Sequence, residues 1–222
     1  MFYIRGMKTK TLLFFLLILA ANRSYSQTRE IYVNPNFGEL TRHHKKLAIL
    51  PFKMIIKLRP KQMEQMTPAQ RQQLEKDEGL AVQSALQTYF LKRKEQHDFK
   101  IAFQDLGTTN ALLAKNNIDE SNLDKFTPKE LAEVLEVDGI ITGILSSDKP
   151  MSEGASAALG ILVGIYGPTN SGKCTININD ATTGDLLWKY EKTLSRSLGS
   201  DTNTIINTMM RKASRQLPYI AE

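Results

Sequence analysis

The stretch from Gly167 to Lys173, GPTNSGK, has the spacing of a phosphate-binding loop. In such loops glycine-rich backbone amides cradle phosphates and a lysine reaches the terminal ones. Two further parts are needed: a Ser or Thr hydroxyl after the lysine to hold magnesium, and a helix whose positive end faces the anion. Cys174 stands in the hydroxyl position, and a thiol is a poor ligand for a hard cation. The following residues, CTININD, alternate with period two and are rich in β-branched side chains, so they predict a strand. Gly167–Lys173 therefore reads as a loop before a strand, with no nucleotide expected. His43 and His44 are adjacent, point to opposite sides of an extended chain and chelate poorly. With His97 the only other histidine, no metal site is expected. Cys174, at an inward strand position, reads as an inert thiol. Trp188 and Tyr190 suit a ligand-stacking platform or the buried face of a hairpin, and the second use is commoner. Asp138-Gly139 at the entry to a strand reads first as a turn signal, and Asp105, after a predicted strand, is the one carboxylate to inspect for a cleft. No Ser-His-Asp or paired-ligand spacing stands out. The expectation is a protein without catalytic residues, cofactor or metal, and not an enzyme.

These residues must be positioned by a small set of elements. KLAILPF carries an unbroken apolar run closed by Pro51, the pattern of a strand buried on both faces. KMIIKLRP either extends that strand or turns outward. Thr67-Pro68-Ala69-Gln70 is a helix start, with Thr as N-cap and Pro at the first helical position. The helix is predicted to run to about Lys94. Its second half presents Val82, Leu86 and Phe90 as a stripe, while its polar first half is expected to project into solvent. Phe99 to Asp105 alternates as a second strand, and short helical pieces are predicted around NALLAKNN. Thr127-Pro128-Lys129-Glu130 is a capping box opening KELAEVLEV. Asp138 to Leu145 is a third strand. KCTININD and DLLWKYEKT then alternate around DATTGD, whose Gly184 suits the left-handed position of a hairpin loop. A final amphipathic helix carries Ile206, Met209, Met210, Ala213 and Leu217 and stops at Pro218. The order predicts an α/β fold, a two-layer or three-layer sandwich. Its mixed sheet has about five strands, with a C-terminal antiparallel hairpin and flanking helices.

The first 26 residues have a different purpose. Arg5, Lys8 and Lys10 precede the apolar run Leu12 to Ala21, and Ser24-Tyr25-Ser26 offers small residues before a cut between Ser26 and Gln27. This is the layout of a secretory signal peptide, and the run is short for a membrane span. The segment takes four of the 29 bases and none of the 23 acids, leaving the rest at a net charge of +2. A nucleic-acid partner wants a basic face, and none is evident. The lone cysteine excludes an internal disulfide, and residues 22–30 hold no cysteine for a lipid anchor. The expected organisation is a signal peptide over 1–26, an extended arm over 27–44 and a single α/β domain over 45–222. An exported, periplasmic or outer-membrane-associated protein without a lipid anchor follows.

Residues 154–167, GASAALGILVGIYG, carry no charge. They are too few for a transmembrane helix and enough for a membrane β-strand. Gly160 and Gly164 are four apart, a spacing that lets helices approach closely. Buried core, subunit interface, inserting segment and plain loop all fit. The candidate interface or membrane-contact residues are Leu159, Gly160, Ile161, Leu162, Val163, Gly164, Ile165 and Tyr166.

KLAILPF, LAEVLEVDGIITGIL and TININDATTGDLLWKYEK, in that order, resemble three segments of one group of envelope proteins. That group holds the curli-secretion-channel family, the N-terminal domain of the Tol propeller protein and the lipoproteins that activate penicillin-binding proteins. The resemblance covers about residues 46–215 at low identity. It implies an anticodon-binding-like α/β sandwich and a role in Gram-negative envelope assembly, secretion or regulation without catalysis. In channel-forming members, a segment placed like residues 154–167 helps build the membrane barrel. This chain lacks that family's lipid-attachment cysteine and a second long amphipathic segment, which puts pore formation in doubt. The function expected is protein-protein contact in the envelope, by self-association or with an envelope partner. A module for a small ligand or glycan near Asp105 and Asp138 is the alternative, and a nucleotide-binding protein using Gly167–Lys173 the remote one.

Overall fold

The structure is a computed structural model that describes residues 29–57, 66–147, 171–195 and 202–219, with the isolated positions 60 and 64. Ser26, Gln27 and the run Leu159–Tyr166 lie outside the described residues. The elements are β1 (Arg29–Val33), α1 (Phe37–Leu40), β2 (Lys46–Ile49), β3 (Lys53–Ile56), α2 (Pro68–Gln96), β4 (Ala102–Phe103) and α3 (Leu106–Lys115). A 3-10 turn (Leu123–Lys125), α4 (Pro128–Leu135), β5 (Gly139–Ser147), β6 (Ser171–Asp180), β7 (Leu186–Ser195) and α5 (Thr202–Ser214) follow.

One mixed, open sheet of seven strands runs β1-β7-β6-β5-β2-β4, with β3 also paired to β5. Strands β2, β3 and β4 join the parallel part, and β5, β6, β7 and β1 form the antiparallel part. The sheet thus exceeds the expected five strands by β1 and β3. KMIIKLRP does extend the first strand: β2 pairs with Gly139–Ile141 and β3 with Ile144–Ser147 of the same neighbour. Phe52 lies between them, and its ring fills the space where Gly143 has no side chain. β1 lies within the segment read as an extended arm; it is extended and pairs along its whole length with β7. Pairing in the Phe99–Asp105 strand is confined to Ala102 and Phe103, although Phe99 and Ile101 are buried as the alternation requires.

Helices cover both faces where the sheet is parallel. Leu47, Ile49, Ile141 and the inward residues of β6 and β7 pack beneath α2 and α5. Ala48, Leu50 and Ile140 point the other way, beneath α3 and α4. The choice between two and three layers resolves to three over β2 and β5. Val82, Leu86 and Phe90 are fully buried, each worth about 1.5–3 kcal/mol of transfer free energy. Both capping boxes form, at Thr67 with Gln70 and at Thr127 with Glu130. The first half of α2 does not simply project into solvent. Leu74, Glu78 and Gly79 are buried, and the Phe52 carbonyl abuts Gly79, where a side chain would have no room. The NALLAKNN region is one ten-residue helix, α3, with Asp105 as its N-cap. Gly184 adopts φ +77° in the β6–β7 turn, as its position requires.

Candidate functional site

An open cleft of about 530 Å³ lies where β2 and β5 begin. It is walled by His43 and His44 before β2, Lys129 and Glu133 of α4, Asp138 before β5, and Asp180 at the end of β6. The local sequence explains the placement. β2 and β5 are parallel and in register from Leu47 and Gly139, so the residues just before each strand fall at one sheet end. β6 runs antiparallel to β5, which brings Asp180 opposite Gly139 at that same end.

At the back of the cleft His44 is buried between two partners. Its Nε2 lies 2.8 Å from Asp180 Oδ1 and its Nδ1 lies 2.8 Å from the Tyr219 hydroxyl. Asp180 Oδ2 accepts from the backbone amides of Thr182 and Thr183 and from the Thr183 hydroxyl. Burial alone would raise the Asp180 carboxyl, but the Thr183 amide, the His44 ring and the Thr183 hydroxyl outweigh it and hold it below the usual carboxylate range. An ionised Asp180 only accepts, so Nε2 of His44 carries the hydrogen; in the neutral ring Nδ1 then accepts from Tyr219. Burial pushes the Tyr219 hydroxyl up, and the charges of Asp180 and Asp138 add to this, so it stays a donor. Phe37 packs edge-on against Tyr219 with ring centroids 5.0 Å apart.

Asp138 is used similarly. Its Oδ2 accepts from the amides of Lys45 and Lys46, each at 2.8 Å, and fixes the start of β2 to the start of β5. Asp138 and Asp180 at this sheet end therefore hold chain segments together, and each oxygen of Asp180 already accepts a hydrogen bond from within the fold. Asp105 stands at the other end of the parallel strands, beyond β4, and its Oδ2 accepts from the Thr108 amide at 2.9 Å. The two carboxylates picked out for one cleft do not converge.

The remaining candidates are placed as follows. Ser171 to Cys174 belong to β6, so a strand occupies the position where a phosphate loop needs a helix N-terminus. Lys173 extends from that strand and pairs with Glu191 at 2.7 Å. Cys174 is fully buried, and burial pushes its thiol up to about 12. Trp188 and Tyr190 are also fully buried and stack on each other at 5.8 Å, as core rather than platform. His97 is the C-cap of α2. Among the described residues no group of three or more His, Cys, Asp or Glu is placed to hold a metal ion. The His44 node was not legible in the sequence, since its partners lie 136 and 175 positions away. A buried-strand start beside a histidine was its one local signal.

A second, more apolar cleft of about 210 Å³ lies on the sheet face beside α4, lined by Leu123, Phe126, Leu131, Ile140 and Ile144. The Lys53–Asp124 ion pair, 2.7 Å long and exposed, bridges its rim. Among the described residues no helix is long and apolar enough to cross a membrane.

No protein-family model and no curated protein matches this sequence. Among solved structures the chain is similar to the PelC dodecamer from Paraburkholderia phytofirmans. That likeness has 11% identity over 84% of this chain and 94% of that one, with a TM-score of 0.41. It is also similar to lipoprotein GNA1162 from Neisseria meningitidis, at 8% identity over 78% and 96%, TM-score 0.43. A third likeness is to the LpoB C-terminal domain from Salmonella enterica, at 7% identity over 73% and 94%, TM-score 0.33.

Proposed function

We propose that this chain is an exported, non-enzymatic protein of a Gram-negative cell envelope, distantly akin to the curli-secretion-channel group. It works by contact with copies of itself or with an envelope partner. The observation that carries this reading is the β5–β6 hairpin. The two strands pair without interruption up to Ser147 and Gly172, so residues 148–170, with their charge-free run, connect the far ends of a ladder nine residue pairs long. Supporting it, Asp138 and Asp180 of the main cleft are engaged in holding the fold, whereas Ile31, Tyr32, Val33, Ile55 and Ile144 are exposed on strands. The signal-like first 26 residues supply the route out of the cytoplasm.

Light scattering after size exclusion, with liposome flotation in parallel, tests the reading on residues 27–222. A discrete oligomer, or flotation that is lost on deleting residues 154–167, is the expected outcome. A monomer that stays in the aqueous fraction and captures no envelope protein on crosslinking would end it. The alternative of a small-ligand or glycan module draws on the open cleft beside Lys129 and Glu133; saturable binding that Lys129→Ala and Glu133→Ala weaken together would favour it.

A further inference from the structure

The outer edge of β1 has a fixed hydrogen-bonding pattern. The Asn34 amide donates to the Leu187 carbonyl at 2.8 Å, one step beyond the Val33–Trp188 pair. In an antiparallel ladder, residues that exchange bonds with a neighbour alternate with residues whose N–H and C=O point away from it. Glu30 and Tyr32 therefore face β7, while Arg29, Ile31 and Val33 turn their amides and carbonyls outward. Among the described residues no strand takes them up. All five side chains of β1 are exposed, and Ile31, Tyr32 and Val33 make an apolar row of good strand formers with no proline among them.

We propose that this edge pairs with the β1 edge of a second copy of the chain, antiparallel across a twofold axis at Ile31. The inference rests on the self-association in the proposed function and names the surface that makes it. The sequence of the strand selects the register. Centred on Ile31, Arg29 lies opposite the second copy's Val33 and Glu30 opposite its Tyr32, so no like charges meet. Centred on Glu30, two carboxylates would stand face to face. Centred on Tyr32, Arg29 would meet Pro35, which has no amide to donate. The Ile31 pair exchanges two bonds and each Arg29–Val33 pair two more, about six in all. Ile31 and Val33 of both copies then meet on the face where α5 packs, because they lie opposite Tyr190 and Trp188. The contact is self-complementary and closes after two copies, joining two seven-stranded sheets into one.

The test is light scattering of residues 27–222 after size exclusion, with Ile31→Pro beside the wild type. The Ile31 amide points away from β7, so proline there removes no ladder bond of the fold and takes out the central pair of the interface. The expected result is a variant with the circular dichroism of the wild type and half its mass. Cysteine cross-linking locates the contact without relying on the proline variant, since Cys174 is fully buried. A short thiol-to-thiol cross-linker should join Ile31→Cys chains, whose paired Cα atoms lie about 5.5 Å apart. Arg29→Cys chains alone should not join, being about 14 Å apart, whereas a mixture of Arg29→Cys and Val33→Cys chains should. No cross-link at Ile31→Cys, or a folded Ile31→Pro variant that keeps the wild-type mass, would overturn edge pairing and leave self-association to another surface. A monomeric wild type would overturn it too, and the envelope reading would then fall only if the protein also left vesicles and envelope proteins unbound.

Discussion

At the residue scale, the polar chemistry of this protein is spent on fastening. His44 joins a segment before β2 to the β6–β7 turn through Asp180 and to Tyr219 through its other nitrogen. Removing one partner of such a buried pair leaves the other unsatisfied, at about 1–3 kcal/mol. His44→Ala should therefore lower unfolding free energy by about 2–3 kcal/mol in urea titration. Tyr219→Phe should cost less, and a double-mutant cycle should return a coupling above about 0.5 kcal/mol. Additive effects would show that the three groups are not one network. The Asp180 carboxyl is lowered in the folded state, so the unfolded chain takes up the proton first as pH falls. Its contribution is complete above the ordinary carboxylate value of about 4 and is lost as pH drops below that. The Tm difference between wild type and Asp180→Asn should shrink over that acid range. Lys192 gives the same sign of dependence in an alkaline window, through a penalty that is lifted instead of a stabilisation that is gained. Its folded value is lowered, so between that value and the ordinary one the unfolded chain holds more protons, and stability rises with pH. Cys174 acts against this at alkaline pH, since its thiol is pushed up to about 12 and stays neutral while the unfolded thiol ionises. Comparing wild type with Lys192→Met isolates the lysine: the variant should be the more stable near neutrality, by an advantage that narrows toward pH 10.

At the element scale, the join between β2 and β3 is the tightest point. Phe52 puts its ring over Gly143 of β5 and its carbonyl against Gly79 of α2. A methyl at position 143 would overlap the buried Phe52 ring, so the ring or the strand must shift. Gly143→Ala should destabilise by about 1–3 kcal/mol, and by much less in a Phe52→Leu background, as read from urea midpoints. An equal penalty in both backgrounds would mean that the strand, not the ring, resists the methyl. The two capping boxes, β5, the β6–β7 hairpin and the apolar face of α5 were all legible in the sequence. Each is set by residues within a few positions of one another: Thr67 with Gln70, Thr127 with Glu130, Gly184 between two alternating runs. What was illegible depended on distant partners. β1 gives no period because all five of its residues are exposed, and only β7 makes it a strand. Glu78 reads as solvated in a polar stretch, and it is buried because Phe52 draws α2 down onto the sheet. The pairing of Asp105 with Asp138 in one cleft failed for a topological reason: one precedes a parallel strand and the other follows one.

At the scale of the whole molecule, the open sheet ends on β1, whose outer edge carries Ile31, Tyr32 and Val33 exposed in a row. Among the described residues no strand pairs with that edge, and an open edge strand is a template for pairing with another chain unless charge or proline blocks it. The double variant Ile31→Lys, Val33→Lys changes two residues on an exposed edge strand whose long replacements can reach solvent, so it should change unfolding free energy by about 1 kcal/mol or less. If the edge takes part in self-association, the same variant should shift the light-scattering mass downward. An unchanged mass with unchanged stability would move attention to the β5–β6 end instead.

The His44 node also sets a schedule. A ribosome making this chain delivers His44 early, Asp180 136 residues later and Tyr219 175 residues later. β5 likewise finds its antiparallel neighbour only once residues 171–180 exist. Until then the side of β5 that β6 will occupy has no partner and His44 lacks both of its own. The fold can therefore be completed only late in synthesis. The native lock closes only once Tyr219 has been made.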